Sequence, residues 1–313
     1  MNIPVFLSSD DNYAPYMAAT IVSVAENTNS YIDFYILDNC ITEENSEKIL
    51  SIIKKYTHCS IEFIKINSEE IFSSIKSGNE YCNHISISAF NRFLIPVLKP
   101  NLKKVIYLDS DIIANGDILN LYNHDLSSFA LGAIPGQMTD ISNICIELLG
   151  LSKSHKFFNS GVLLIDTEKF RDKNILKHFY EIEKEYREKI LYLDQDILNV
   201  YFENNYLQLD KIFNYEAIEN DLCDNFILRH YTTGLKPWLV SPNIKTDIIK
   251  NSDIFWYYLS KTPYYEFVAN NCECKTPESM HKLRLQKLLE KHAGNNPEIY
   301  IKNKKKLREI NEQ

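Results

Sequence analysis

Glycine and proline are scarce, 8 and 10 among 313 residues. That leaves little material for flexible linkers or glycine-rich phosphate loops, and neither GxGxxG nor a P-loop occurs. No repeat of fixed period is found along the chain. The seven cysteines are Cys40, Cys59, Cys82, Cys145, Cys223, Cys272 and Cys274. Their number is odd and none stands in CxxC spacing, which argues against a disulfide framework or a structural zinc. No apolar run is long enough to span a bilayer. The opening MNIPVFLSSDDNY has no basic region and reaches two aspartates after a short apolar stretch. It reads as a first strand, not a secretory signal, and a cytoplasmic protein is expected. Positive charge is short too: the formal net charge of −8 disfavours nucleic-acid binding, which needs a basic surface.

With 45% hydrophobic residues the chain can bury a sizeable core. Strand and helix signals alternate. Ile3 to Ser8 reads as a strand, Pro15 opens a helix through Asn27, and Tyr31 to Leu37 is a second strand. Thr42 caps a helix with Glu43 and Glu44 in its first turn, and Ser60 to Ile66 is a third strand. A helix from about Ser86 to Leu94 precedes the strand Val105-Ile106-Tyr107-Leu108. Further strands are expected at Ala130 to Ile134, Gly161 to Ile165 and Ile227 to Tyr231, with helices near Thr167 to Ile190 and Asp196 to Phe202. This alternation predicts an α/β fold, a mostly parallel sheet covered on both faces. One such domain accounts for residues 1–245, and 246–313 form a helical, basic appendage.

Ligands of open α/β sheets bind beyond the carboxyl ends of strands. Two acidic stretches fall there, Ser8-Ser9-Asp10-Asp11-Asn12 and Asp109-Ser110-Asp111. In an extended chain residues i and i+2 point to one side, so Asp109 and Asp111 can face one cation or diphosphate. With 18 aspartates in the chain such spacing also arises by chance, and a solvated turn explains it equally well. His230 follows an apolar run and precedes Tyr231-Thr232-Thr233-Gly234-Leu235-Lys236-Pro237-Trp238. An imidazole beside two carboxylates makes a mixed site suited to Mn²⁺ rather than Ca²⁺. Gly234 would let backbone approach a phosphate and Lys236 would bring a point charge, although a lone His is commonly a hydrogen-bonded structural residue.

Six segments in series resemble glycosyltransferase family 8: SSDDNY from Ser8, ISISAFNRF from Ile85, VIYLDSDII from Val105, FNSGVLLID from Phe158, LDQDILN from Leu193 and HYTTGLKPW from His230. They span about residues 3–240 and are most similar to bacterial lipooligosaccharide α-galactosyl- and glucosyltransferases, with glycogenin more distant. The resemblance implies a GT-A (Rossmann-like) fold, a UDP-sugar donor, Mn²⁺ with Mg²⁺ as the alternative ion, and retention of anomeric configuration. It implies Asp109, Asp111 and His230 as metal ligands. It places Ser8, Asp10, Asn12 and Tyr13 on uridine, Gly234 and Lys236 on the diphosphate, and Arg92, Asn159, Ser160, Asp194 and Gln195 around the donor sugar, with Ser110 between the two metal aspartates in the donor site. Two departures stand out. Pro135-Gly136-Gln137 occupies the place where relatives often carry a sugar-contacting Asp, and Gly234 lies four residues after His230 where galactosyltransferases have three.

By this resemblance the residue below the anomeric carbon is Gln195, a poor nucleophile. Same-face attack, with Asp194 and Gln195 as positioning groups, is therefore expected over a covalent intermediate. Two other readings compete. A haloacid-dehalogenase phosphatase would use Asp109 as nucleophile, but usually has Thr where Ile113 stands, and a non-catalytic sugar-nucleotide binder would keep the same triad. The acceptor is expected to be a saccharide or glycolipid of a surface glycan. The tail from Lys275 carries ten Lys/Arg against five Glu, with Leu283, Leu288, Leu289, Ile299, Tyr300 and Ile301 among them. That pattern suits reversible contact with an anionic membrane, and equally a solvated helix or tail.

Overall fold

The structure, a computed structural model, describes residues 2–72, 87–217, 225–232, 236–244, 249–274, 276 and 279. The expected tail helix and membrane anchor, and Gly234, lie outside these residues.

Strand β1 (Asn2–Asp10) leads through Asp11, Asn12 and Tyr13 into α1 (Ala14–Asn27). Pro15 sits in the first turn, where its missing N–H costs nothing, and small and aliphatic residues follow. Eleven of the fourteen residues are buried, so α1 is a core helix. Strand β2 (Tyr31–Asn39) precedes α2 (Glu43–Ile53), where Thr42 Oγ1 accepts the Asn45 N–H and Ile49, Ile52 and Ile53 face inward. Strand β3 (Cys59–Lys65) and the short α3 (Ser68–Ile71) complete this half.

A 3₁₀ segment (Ile87–Leu94), where an ordinary helix was expected, and α4 (Ile95–Leu98) lead to β4 (Lys104–Leu108). Then come β5 (Ile112–Ala114), α5 (Leu119–Tyr122), β6 (Leu131–Pro135), α6 (Thr139–Leu149) and β7 (Phe158–Asp166). The helix expected from Thr167 to Ile190 is two, α7 (Thr167–Asp172) and α8 (Ile175–Tyr186). Asn174, at φ +47°, breaks the run between them. Helix α9 (Asp194–Tyr201) starts two residues earlier than expected and is followed by β8 (Leu207–Gln208) and β9 (Leu228–His230). Helices α10 (Ser252–Leu259) and α11 (Tyr265–Asn270) are the last described elements.

Seven strands form one sheet in the order β3-β2-β1-β4-β7-β6-β8. The pairs β3/β2, β2/β1, β1/β4 and β6/β8 are parallel, and only β7 runs against its neighbours. Alternation along the central strands feeds two cores. Val5, Leu7, Ile106 and Leu108 face α1 and α10, while Phe6, Val105 and Tyr107 face α8 and α9. Phe255, Trp256, Tyr258 and Leu259 of α10 share the α1 core, so this helix packs as part of the main body. The arrangement is the expected mostly parallel α/β sheet with helices on both faces.

Candidate active site

Strands β1 and β4 are in parallel register, Leu7 opposite Leu108, so Ser8–Asp10 and Asp109–Asp111 emerge together at one sheet edge. The chain turns at Ser110 and re-enters as β5, which pairs antiparallel with β9, Ile112 opposite His230. This three-residue ribbon, not recognisable in the sequence as a pair, carries a histidine some 120 residues away to the two aspartates. His230 Nε2 lies 3.1 Å from Asp111 Oδ1 and 3.7 Å from Asp109 Oδ2. One ligand atom from each of the three residues falls within 4.8 Å of the others.

Each carboxylate has a cation on its far side. Arg92 Nη2 donates to Asp109 Oδ1 at 3.0 Å, and Tyr107 donates to the same oxygen at 2.9 Å. Lys236 Nζ lies 2.5 Å from Asp111 Oδ2 and also donates to the Tyr231 carbonyl. Burial opposes charge on Asp111, but the Lys236 ammonium beside it outweighs this and holds its carboxyl well below the usual carboxylate range. Asp111 Oδ1 is nonetheless buried with no hydrogen-bond partner. A buried carboxylate oxygen without a donor, aimed at a second carboxylate and an imidazole nitrogen, is what a divalent cation completes.

Gly161 sits against this cluster. Its carbonyl accepts the Asp109 N–H at 2.8 Å, and a Cβ there would stand 2.7 Å from Asp109 Oδ2 and 2.8 Å from His230 Nδ1. Beside it Ser160 and Asn159 meet the start of α9. Ser160 Oγ donates to Asp194 Oδ2 at 3.0 Å, and Asn159 Nδ2 and the Ser160 N–H both donate to Gln195 Oε1 at 3.1 Å. Leu193, at φ +42°, forces the turn that brings Asp194 and Gln195 under β7. Asn199 locks the junction, accepting the Phe158 N–H and donating to the carbonyls of Phe158 and Gln195.

Arg92, expected beside a sugar, is 4% exposed and fully engaged from behind. Its Nε lies 3.2 Å from Asp194 Oδ2 and also donates to the Ala89 carbonyl, while Nη1 donates to the Ser160 carbonyl at 2.5 Å. It therefore ties Asp109 to Asp194 and stacks over Tyr107, 4.3 Å from the ring centre. Burial pushes the Asp194 carboxyl up to about 6, against the pull of Arg92 and with the help of Asp109. Such a group is held in place by its neighbours and is poorly set to attack an electrophile.

At the β1 end, Ser8 Oγ donates to the Ser88 carbonyl and accepts from Asn91 Nδ2, and Asp10 Oδ1 accepts the Tyr13 N–H. Ser110 Oγ is spent on the Ser8 carbonyl at 2.8 Å, which clamps the aspartate turn to β1. Asn12 and Tyr13 are exposed. Tyr13 stands edge-on to Trp238, and Trp238 stacks on Tyr16 at 3.7 Å, so the turn after β1 is joined to the Lys236 turn. Asp11, beside Asp10 in sequence, instead caps α2 through Thr42 and Asn45. Sequence reasoning missed Tyr107, Asn199 and Asn214. The last, isolated in a loop, carries no local signal, yet its side chain lies 2.9 Å from His230 Nδ1.

A profile of glycosyl transferase family 8 matches residues 4–241. The Streptococcus pneumoniae glycosyltransferase GlyF is 30% identical over 268 residues, covering 82% of this chain but 61% of that protein, so the chain spans about three fifths of that relative's length. The lipopolysaccharide 1,2-glucosyltransferase of Escherichia coli is 26% identical over 262 residues, 75% of this chain and 73% of that enzyme. Among solved structures, the galactosyltransferase LgtC, in complex with donor and acceptor sugar analogues, superposes with a TM-score of 0.72 at 25% identity, over 83% of this chain and 96% of that one. Fold, segment order and a profile that runs from the first strand to the turn after Trp238 agree, and the chain belongs to glycosyl transferase family 8.

Proposed function

We propose that this chain moves galactose or glucose from a UDP-sugar to a saccharide acceptor of a surface glycan, with retention, using Mn²⁺ or Mg²⁺ held by Asp109, Asp111 and His230. The observation that carries the reading is the convergence of these three ligand atoms around the partnerless Asp111 Oδ1, at the sheet edge shared with Ser8 and Asp10. When bound, the cation supplies Lewis-acid neutralisation of the charge that gathers on the departing diphosphate. Lys236, already beside Asp111, adds a second positive charge there, and Gly234 would let backbone approach the same phosphates. Tyr13, Asn12, Asp10 and Ser8 line the nucleoside side.

Asn159, Ser160, Asp194 and Gln195 form the floor for the donor sugar, with Arg92 and Ser110 holding its walls. Gln195 Oε1 is occupied by two N–H donors and Asp194 by Arg92 and Ser160, so neither is a ready nucleophile. That supports same-face attack by the acceptor, with these side chains positioning the sugar. At the departure from the family pattern, Gln137 turns away: its side chain donates to the Asn214 carbonyl and its N–H to Glu216. Family membership displaces the phosphatase reading of Asp109. Among the described residues no helix is long and apolar enough to cross a membrane. The proposal keeps the protein in the cytoplasm, with its basic tail reaching a lipid-linked acceptor. A UDP-sugar panel with Mn²⁺ or EDTA tests the whole reading. UDP should be released from UDP-galactose or UDP-glucose only with the ion; release from neither would leave a binding protein.

A further inference from the structure

Behind the metal cluster the side-chain amides are oriented by backbone donors. The Gly161 N–H donates to Asn159 Oδ1 at 2.9 Å, and the Ser160 N–H to Gln195 Oε1 at 3.1 Å. A backbone N–H cannot accept, so both amide oxygens are fixed on these atoms. Asn159 Nδ2 is thereby turned to Gln195 Oε1, and Asn159 Oδ1 receives Asn214 Nδ2 at 2.9 Å. With its nitrogen committed, Asn214 has only Oδ1 to offer His230 Nδ1, 2.9 Å away. An amide oxygen only accepts, so Nδ1 carries the ring proton and Nε2 points a lone pair at Asp109 and Asp111. This explains why Asp111 Oδ1 lacks a donor although Nε2 is 3.1 Å from it.

We propose that Asn214 is the positioning residue that couples the two halves of the site: its one amide sets the cation-facing tautomer of His230 and, through Asn159, the orientation of Gln195. Asn214 is 0% exposed; its backbone carbonyl accepts Gln137 Nε2 at 2.6 Å, which anchors the residue, and its side-chain amide is held between Asn159 Oδ1 and His230 Nδ1. The chain of donors runs one way, from His230 to Asn214, to Asn159, to Gln195. It leaves the Gln195 amide hydrogens, not its oxygen, for a ligand. Reversing any member would put two oxygens or two N–H groups face to face.

The inference rests on the proposed metal-dependent transfer, and its test has readouts independent of it. Nitrogen NMR of histidine side chains in the metal-free protein at mildly alkaline pH, with the His230 signal assigned by its loss in His230→Ala, should show His230 protonated on Nδ1. Finding it on Nε2 overturns the proposal with no Asn214 variant required. Asn214→Ala should lose the Nδ1 preference and weaken Mn²⁺ binding, titrated directly, by the ~10–100-fold typical of a lost ligand-orienting partner. Asn214→Asp can still accept from Nδ1 but sets a carboxylate against Asn159 Oδ1. It should keep the tautomer and Mn²⁺ affinity within about threefold, while kcat falls about tenfold or more at unchanged donor KM. Wild-type Mn²⁺ affinity in Asn214→Ala, or wild-type kcat in Asn214→Asp, would refute the coupling. Should the tautomer and metal results hold while the wild-type chain releases no UDP, Asn214's role stands and the transfer reading falls.

Discussion

Gly161→Ala is the smallest change that should dismantle the site. The glycine lies in β7 with its carbonyl on the Asp109 N–H and its N–H on Asn159, between the buried Phe158 and Val162, so the strand cannot retreat. It does not have a left-handed backbone; space alone requires glycine. A methyl would stand 2.7 Å from Asp109 Oδ2 and 2.8 Å from His230 Nδ1, and nearer still to the ring carbon between its nitrogens. Comfortable non-bonded contact needs about 3.5–4.0 Å, so the ring and carboxylate must together yield about 1 Å. Ligand distances tolerate only about 0.2 Å. Mn²⁺ affinity should therefore drop by at least ~100-fold, more than loss of an outer supporting group. Overpacking of this kind costs folding roughly 1–3 kcal/mol, which a chain of this size should survive. Mn²⁺ titration by calorimetry, with circular dichroism to confirm folding, measures both. A folded Gly161→Ala protein that binds Mn²⁺ within threefold of wild type would refute the steric reasoning.

Four further outcomes are expected. Asp111→Asn should cut metal-dependent UDP release by ~100-fold or more with secondary structure intact, and near-normal release would count strongly against the cluster. Lys236→Ala should lower kcat more than donor affinity, because the leaving group's charge grows in the transition state; a raised KM at constant kcat would mean that Lys236 only binds. His155 is held neutral: Nε2 faces Asn199 Oδ1 and Nδ1 accepts the Asn204 N–H, and burial lowers its pKa against the pull of Asn199 and Glu203. As pH falls below the unfolded value near 6.5, the unfolded chain gains a proton first, so stability should decline by up to about 1.4 kcal/mol per pH unit until the folded group titrates. Thermal melts of His155→Gln between pH 7 and 5 should lack that component, and equal slopes would refute it. The full chain should sediment with phosphatidylglycerol liposomes in low salt, at ~1 kcal/mol per basic residue, and a chain ending after Ser279 should not. Ser279 is the place to cut because Cys274 still bonds the carbonyl of Leu239 and the N–H of Ser241.

Local signals carried much of the fold into the sequence. β1 and β4 are apolar runs that end in carboxylates, and α2 opens with a Thr cap and two glutamates, so each could be read from a dozen residues. Elements set by distant partners could not. β5, three residues long, exists because it pairs with β9, the strand expected at Ile227 to Tyr231. The break at Asn174 follows from a left-handed residue inside an otherwise helical pattern. Helix α6 went unread although Gly150, at φ +69°, marks its end. In the site, Asp10 and Asp11 look alike as letters, and only the position of α2 makes the second a cap. The donors and acceptors of the aspartate–histidine cluster were legible as residue types, but Arg92's place behind them and Asn214's beside them depend on packing.

The strand order also has a timetable. β1 is central, flanked by β2 just after it and by β4 about a hundred residues later. On a ribosome adding ~5–20 residues per second, β1, β2 and β3 can pair early, yet one edge of β1 then waits for β4 for several seconds. Asp109 and Asp111 wait in turn for His230, about 120 residues behind them, for roughly 6–24 s at the same rate. The nascent chain thus presents first an unpaired apolar strand edge and then an acidic pair without its imidazole. The newborn half-protein is thus at its stickiest before it has any means of holding an ion, and a chaperone that covers the edge of β1 would guard it through that stage.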